Sequence, residues 1–439
     1  MRQTMVLLGV VALLLAGPLV MADGVPFRIR VVGAEIEPSQ TAQQAALFWN
    51  DGIEALHLKS NYIGPREAFA WVIPVPAMPT VSESDWRAFE AAEEATRPRL
   101  FFAERVPGSF GCGCGAAVGV REESPRLVPA GVTLLSSLDI KELHVDILSA
   151  EEHGGLMRWL EENDYVVPAQ AEPILHDYIR KGFYFIAVRY GKEELRTAGE
   201  VEGTRDAIST GLTPLRICFP SAEPFFPLKI SSIASAPENE LLLLVISRET
   251  MLPREYAALK LDYREAQRAL QERYGSQLKE MLLDGAWFAG AWLEVIRTTQ
   301  QRSLTPALTL EALLKNDTIQ WYLHDAGQAA SIGRELGLKD EAEGGGQDVF
   351  HVARYHALLS PTQMRDITFQ KAPADGPSEL FPQGISTRDG VARDASAVYA
   401  CAALTLLGCA GIAWSFYAVK GTRLRLLSVL LFICAACLL

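Results

Sequence analysis

Residues 43–76 read QQAALFWNDGIEALHLKSNYIGPREAFAWVIPVP, and the order of apolar runs and turn residues in this stretch decides the fold class. Gln43 to Trp49 is an apolar run, and Asn50-Asp51-Gly52 supplies residues that tolerate the left-handed backbone of a tight hairpin. Glu54 to Ile63 then alternates, with Ala55, His57 and Lys59 set against Leu56, Leu58 and Ser60. A second turn at Gly64-Pro65 leads into Ala68 to Ile73, where Pro74 and Pro76 are expected to stop further pairing. Runs joined by turns this short must lie antiparallel.

Outward from this meander the period changes. Ser84 is expected to cap a helix through Asp85, Trp86, Phe89, Ala92 and Glu93 that ends at Pro98. His153, Leu156, Arg158, Trp159 and Leu160, closed by Glu161-Glu162-Asn163, predict a second helix, and Pro168 to Arg180 a third. Gly182 hands over to a strand from Phe183 to Tyr190. Leu215 to Phe219, Leu228 to Ile233 and Leu241 to Ser247 read as strands between Pro-rich turns. Pro253 to Ile296 reads as one long or two linked helices with a weak point at Tyr274-Gly275. The predicted class is α+β: an antiparallel, sheet-rich exported domain with packed helices, plus a C-terminal transmembrane helix or hairpin.

The membrane expectation comes from the ends of the chain. Residues 1–22 have a basic start at Arg2, an apolar core MVLLGVVALLLA and small residues at Val20 and Ala22, the layout of a cleaved signal peptide. Residues 398–419 carry no charge and would make about 33 Å of helix, matching a bilayer core of about 30 Å. Lys420, Arg423 and Arg425 in the 420–425 loop form a basic cluster that the positive-inside rule places in the cytoplasm. Residues 426–439 are a second, short apolar segment. The exported domain then spans 23–370, with residues 371–397 a flexible linker rich in Gly, Pro, Ser and Asp. The expected location is the bacterial cytoplasmic membrane, with the main domain periplasmic or on the cell surface.

Charge narrows the partners. The chain of 439 residues holds 41 Lys plus Arg against 53 Asp plus Glu, for a formal net charge of -12. Arg2, Lys420, Arg423 and Arg425 all lie in the end segments, so the exported body is more acidic still. Nucleic acid is excluded as the main partner. The expected partners are the membrane, through the C-terminal segment, and an envelope protein. Gly111 to Gly119 partly mimics a phosphate-binding loop but lacks the Lys-Ser/Thr ending, so no nucleotide is expected.

Of seven cysteines, Cys401, Cys409, Cys434 and Cys437 lie in the apolar tail, leaving Cys112, Cys114 and Cys218 outside it. In an oxidising compartment a bridge from Cys218 to Cys112 or Cys114 would close a loop of about 105 residues, worth roughly 4 to 5 kcal/mol in the chain-entropy model. A Cys112–Cys114 bridge, or thiolate metal or redox chemistry, are the alternatives. No catalytic, cofactor-binding or metal residue is assigned. His351 and His356 are five apart, and no HExxH is present. His153 beside Glu151 and Glu152 reads as a charged helix start. Ser136, Ser137 and Ser247 lack a nucleophile-elbow context. The pairs Glu93-Glu94 and Glu161-Glu162 read as solvated helix faces, and Trp71, Trp86, Trp159 and Phe183 as core.

Five stretches carry a family resemblance: AFAWVIPVPAMP (68–79), GGLMRWLEENDYVVP (154–168), YIRKGFYFIAVRY (178–190), LTPLRICFPSAEPFFPLKISSI (212–233) and HVARYHALLSPTQMRDITF (351–369). In this order they resemble the bacterial domain of unknown function 2330 over most of residues 23–370. The resemblance implies an exported or envelope-anchored protein and carries no activity, cofactor or catalytic residue across. The cysteines that many such relatives have at the start of the mature chain are absent here, so no bridge is carried over. The resulting expectation is a non-catalytic binding or structural module of the envelope. An envelope hydrolase or thiol- or metal-dependent enzyme, and an accessory subunit of a membrane complex, are the alternatives.

Overall fold

The structure is a computed structural model. It describes residues 25–29, 40–59, 61–63, 69–101, 131–191, 209–278, 281, 285–319, 326–337, 349–382 and 384–386. In chain order the elements are β1 (Val25–Ile29), β2 (Gln40–Asn50), β3 (Ile53–Lys59), β4 (Asn61–Ile63), β5 (Phe69–Val75), β6 (Thr80–Glu83), α1 (Arg87–Thr96) and β7 (Arg99–Phe101). Then come β8 (Val132–Ile140), β9 (Leu143–Ala150), α2 (His153–Glu162), β10 (Tyr165–Val166), α3 (Ala171–Arg180), β11 (Tyr184–Tyr190), β12 (Ser209–Gly211), β13 (Leu215–Pro220) and β14 (Phe225–Phe226). The remainder are β15 (Ser235–Ser247), β16 (Met251–Pro253), β17 (Ala257–Lys260), α4 (Tyr263–Tyr274), α5 (Gly285–Gln300), β18 (Ala307–Lys315), α6 (Asn316–Ile319), α7 (Ala326–Glu335), β19 (His351–Leu359), β20 (Ile367–Lys371) and β21 (Gly384–Ser386).

The fold is α+β, and its elements fall into two compact units. The first holds both large sheets. The eight-stranded sheet has the order β17-β18-β19-β15-β2-β3-β13-β6. Its β2–β3 hairpin turns at Asp51 and Gly52, both at positive φ, and pairs Asn50 with Ile53, as the Asn-Asp-Gly signal predicts. It is not purely antiparallel: β15 runs parallel to β2, and β17 parallel to β18. Glu54 to Leu58 are buried in succession, because both faces of the sheet are covered. Helices α1, α5 and α7 lie on one face. The small sheet β14-β20-β16 lies on the other, where Tyr355 donates its hydroxyl to Met251 O at 2.6 Å and packs against Phe369.

The six-stranded sheet, β10-β1-β5-β11-β9-β8, is antiparallel throughout. Helices α2 and α3 pack on one face through Leu156, Trp159, Leu160, Leu175 and Tyr178 against Val72, Leu148 and Phe185. Each large apolar side chain so buried contributes about 1.5–3 kcal/mol. Gly182, at φ 75, ends α3 by donating to Ile179 O, and the chain enters β11 where expected. The second unit contains α4, a 3₁₀ turn at Gly275–Gln277, and the parallel pair β7–β21.

Several expectations are corrected. Pro74 does not end pairing: β11 pairs β5 through Val75, while β1 reaches only Val72, so Pro74 lies where β5 has one neighbour and its missing N–H is tolerated. Ser84 does not cap α1, which starts at Arg87 without a side-chain cap. Lys229–Ala234 forms a 3₁₀ turn in place of a strand, because the Lys229 N–H is taken by Asp366 and Ser232 bonds back to Lys229 O. Ala257 and Leu261 belong to a strand and its exit, since the helix begins at Asp262, whose carboxylate accepts from the N–H groups of Arg264 and Glu265. Its end at Gly275, φ 49, agrees with the predicted weak point. Part of the stretch read as a linker is folded: Leu380 exchanges backbone hydrogen bonds with Leu313, and Ile385 is buried.

Residues 1–22, 387–397, 398–419, 420–425 and 426–439, with Lys420, Arg423 and Arg425, lie outside the described residues, as does the loop read at Glu341 to Asp348. Among the described residues no helix is long and apolar enough to cross a membrane.

Candidate functional site

A cavity of about 370 Å³ opens on the helix-covered face of the eight-stranded sheet, beside the β2–β3 turn. Alternation along each strand brings Phe48 and Asn50, Ile53 and Ala55, and Arg216 and Cys218 to this face. The end of α7 closes it with Arg334, Glu335, Leu336 and Gly337. Gly337, at φ 67, terminates the helix, and Asn50 Nδ2 donates to Leu336 O at 2.6 Å, tying that end to the hairpin.

Behind the cavity wall His57 is wholly buried, with the ring of Phe48 edge-on at 5.0 Å. Its Nδ1 lies 2.8 Å from Ser84 Oγ and its Nε2 3.2 Å from Glu335 Oε2. Arg216 Nε donates to the same Glu335 oxygen at 2.8 Å. Burial alone would raise the Glu335 carboxyl, but His57 and Arg216 outweigh it and hold it below the usual range. Arg216 also reaches the Cys218 sulfur. Ser84, His57 and Glu335 are the residue types of a hydrolytic triad, yet Ser84 is buried and does not line the cavity. The cavity therefore presents paired charges, the exposed Arg334 and Asp51, and an apolar wall.

A second cluster sits on the β8–β9 hairpin. His144 Nδ1 lies 2.6 Å from Asp139, and its Nε2 3.3 Å from Ser137 Oγ and 3.4 Å from Asp146. Ser137 donates instead to Asp146, at 2.7 Å. Burial pulls the His144 pKa down, but Asp146 and Asp139 outweigh it and the value lies above the ordinary one, so the ring favours carrying its proton over accepting one from Ser137. A third cluster is deeply buried: Glu311 accepts from Trp292 Nε1 at 2.6 Å, from His356 Nδ1 at 3.0 Å, and from Arg354 Nε. His356 Nε2 lies 2.8 Å from Glu240. Despite full burial, Arg354 and His356 hold the Glu311 carboxyl near 2, and the two carboxylates raise His356 to about 9.

Cys218 is half-buried in β13 and unbridged, while Cys112 and Cys114 lie outside the described residues. His351 and His356 point to opposite sheet faces, since five is an odd step along a strand. His153 bonds Glu172 at 3.2 Å and packs edge-on to His176, with neither Glu151 nor Glu152 engaged. Among the described residues no group of three or more His, Cys, Asp or Glu is placed to hold a metal. Ser247 is buried and bonds Glu249 O; Glu161 and Glu162 are exposed; Glu94 pairs with Arg97. Trp71 and Trp159 are core, whereas Trp86 and Phe183 are half-buried. Sequence reading missed Arg216, Glu335, Asp139, Asp146, Glu311 and Arg354. For Arg216, Asp146, Glu311 and Arg354 the one local signal is a charge inside an otherwise apolar strand, whereas Glu335, at the end of α7, and Asp139, in the largely exposed β8, carry none.

The architecture defines a sheet-rich α+β protein with buried ion-pair clusters and an open cavity at a hairpin turn. A family model described as an uncharacterized protein conserved in bacteria, DUF2330, matches residues 30–305, and the chain belongs to that family. No curated protein and no solved structure matches.

Proposed function

We propose that this is an exported protein held in the bacterial cytoplasmic membrane by its C-terminal apolar segments, with the folded body outside acting as a binding module. The cavity beside the β2–β3 turn carries this reading. Its carboxylate is already spent on His57 and Arg216, and what remains toward solvent is Arg334, Asp51 and the half-exposed Ile53 beside Phe48 and Leu336. Fixed polar groups around an apolar wall suit recognition. The acidic body and the uncharged stretch 398–419 support the anchored, projecting arrangement.

The test places a photocrosslinking residue at Ile53 in the full chain in native membranes. A defined adduct that disappears with Arg334→Glu is expected. The reading fails if position 53 yields nothing beyond what a probe at Leu304 yields. A hydrolytic alternative draws on the Ser137, His144 and Asp139 row; loss of cellular function in Ser137→Ala at unchanged Tm and unchanged crosslinking would favour it.

A further inference from the structure

Two polar atoms on the helix-covered face of the six-stranded sheet have no hydrogen-bond partner among the described residues, Arg189 Nε and Tyr165 Oη. Both residues are almost wholly buried, 5% and 2% exposed. Arg189 lies directly across from His144 in the β9–β11 ladder, and Asp146 follows on the same face two residues along β9. Tyr165 feels the charges of both Asp146 and Arg189, and its ring packs against Trp159 at 6.0 Å. One end of this sheet face therefore gathers a guanidinium, a phenol and the His144–Asp146 pair.

The donors there are not all used. Asp146 is hydrogen-bonded by Ser137, pairs with His144 and feels the charge of Arg189, yet Arg189 Nε itself donates to no group among the described residues. A guanidinium withdrawn from water is costly unless paired, and unlike a lysine it cannot shed its proton to escape. Both orphaned atoms can donate, so their complement is an acceptor bearing negative charge. We propose that Arg189 and Tyr165 form a binding site for a small oxyanion, a carboxylate or phosphate group, bounded on one side by the His144–Asp146 pair. This site is separate from the cavity at the β2–β3 turn and does not depend on what that cavity binds.

The test uses the full chain in non-ionic detergent, titrated with inorganic phosphate or with acetate against chloride at matched ionic strength, reading Tm and calorimetric heat. One of the two oxyanions should raise Tm with saturation, and which one does identifies the group as phosphate or carboxylate. Arg189→Gln should abolish the response. Tyr165→Phe loses no protein hydrogen bond, so it should keep or raise Tm without ligand and weaken oxyanion binding about tenfold. Arg334→Gln, at the other cavity, should respond like the wild type. The proposal is overturned if neither oxyanion acts beyond chloride, if the response survives Tyr165→Phe at full strength, if it is lost in Arg334→Gln, or if Tyr165→Phe alone lowers Tm.

Discussion

Replacing Glu311 by glutamine tests the physical account of the buried clusters most directly. Glu311 is fully buried and serves as common acceptor for Trp292, His356 and Arg354. Glutamine keeps the shape and one acceptor oxygen but removes the charge, leaving the buried guanidinium with Glu93 at 3.6 Å and the imidazolium with Glu240 at 2.8 Å. Holding the Glu311 carboxyl near 2 instead of 4.5 corresponds to about 3 kcal/mol at 1.36 kcal/mol per pKa unit. The rise of His356 from 6.5 to about 9 draws partly on the same Glu311 contact and partly on Glu240, so the two shifts are not added. Breaking one partner of a buried pair generally costs about 3–5 kcal/mol, which agrees. For a body this large that is a Tm drop of about 5–10 °C.

The pH dependence makes the argument sharper. Glu311 has a lowered pKa, so its contribution is present above 4.5 and fades as pH falls toward 2. His356 has a raised one, so its contribution is complete below 6.5 and is lost as pH rises toward 9. Urea unfolding of the full chain in detergent at pH 5.5 and at pH 9 should show the wild type losing stability at the higher value, and Glu311→Gln losing much less. If Glu311→Gln costs under about 1 kcal/mol at pH 5.5, or keeps the full alkaline loss, the reasoning is wrong.

Glu54 should behave oppositely: burial raises its carboxyl well above 4.5, so Glu54→Gln is expected to be neutral or stabilising at pH 7, with an advantage growing as pH rises above 4.5. A loss above about 1 kcal/mol at pH 8 would count against a neutral Glu54. Ser84→Ala should cost about 1–3 kcal/mol by orphaning buried His57, and Asp262→Ala about 1 kcal/mol as a lost cap, both read from urea midpoints. Cys218 is unbridged in the structure, so non-reducing peptide mapping of envelope-purified protein should return its peptide unlinked, and a peptide joining it to Cys112 or Cys114 would favour the bridge expected from the sequence. Leu406→Arg should cost about 2.5–3.5 kcal/mol of insertion free energy and release part of the protein from the membrane; full retention would argue against a span at 398–419.

The fold was legible wherever turn chemistry and period agreed locally. Asn50-Asp51-Gly52 admits a two-residue hairpin and little else, and α2 and α3 each carry an apolar stripe broad enough to bury. It was not legible where tertiary pairing overrode the pattern. Ala257 and Leu261 fit helical spacing, but β18 offers a parallel ladder and Asp262 caps the helix only afterward. The β2–β15 pairing joins residues some two hundred positions apart, and no local period announces that it is parallel.

The sites were hidden for a related reason. In LHVDILSA, ALTLEALLK and HVARYHALL the charged or ionisable residues sit inside apolar strands, where each is too expensive to bury alone. A lone charge in such a run predicts a partner but cannot name it, because the partner comes from a strand or helix that only the sheet order brings close. Glu311 and Arg354 meet because β18 and β19 are neighbours; Glu335 meets His57 because α7 lies over β3. Most of these charges close in pairs, which marks them as structural. Arg189, in the strand YFIAVRY, keeps a buried N–H that sheet order does not satisfy, and an unsatisfied buried donor is where a ligand is most reasonably sought.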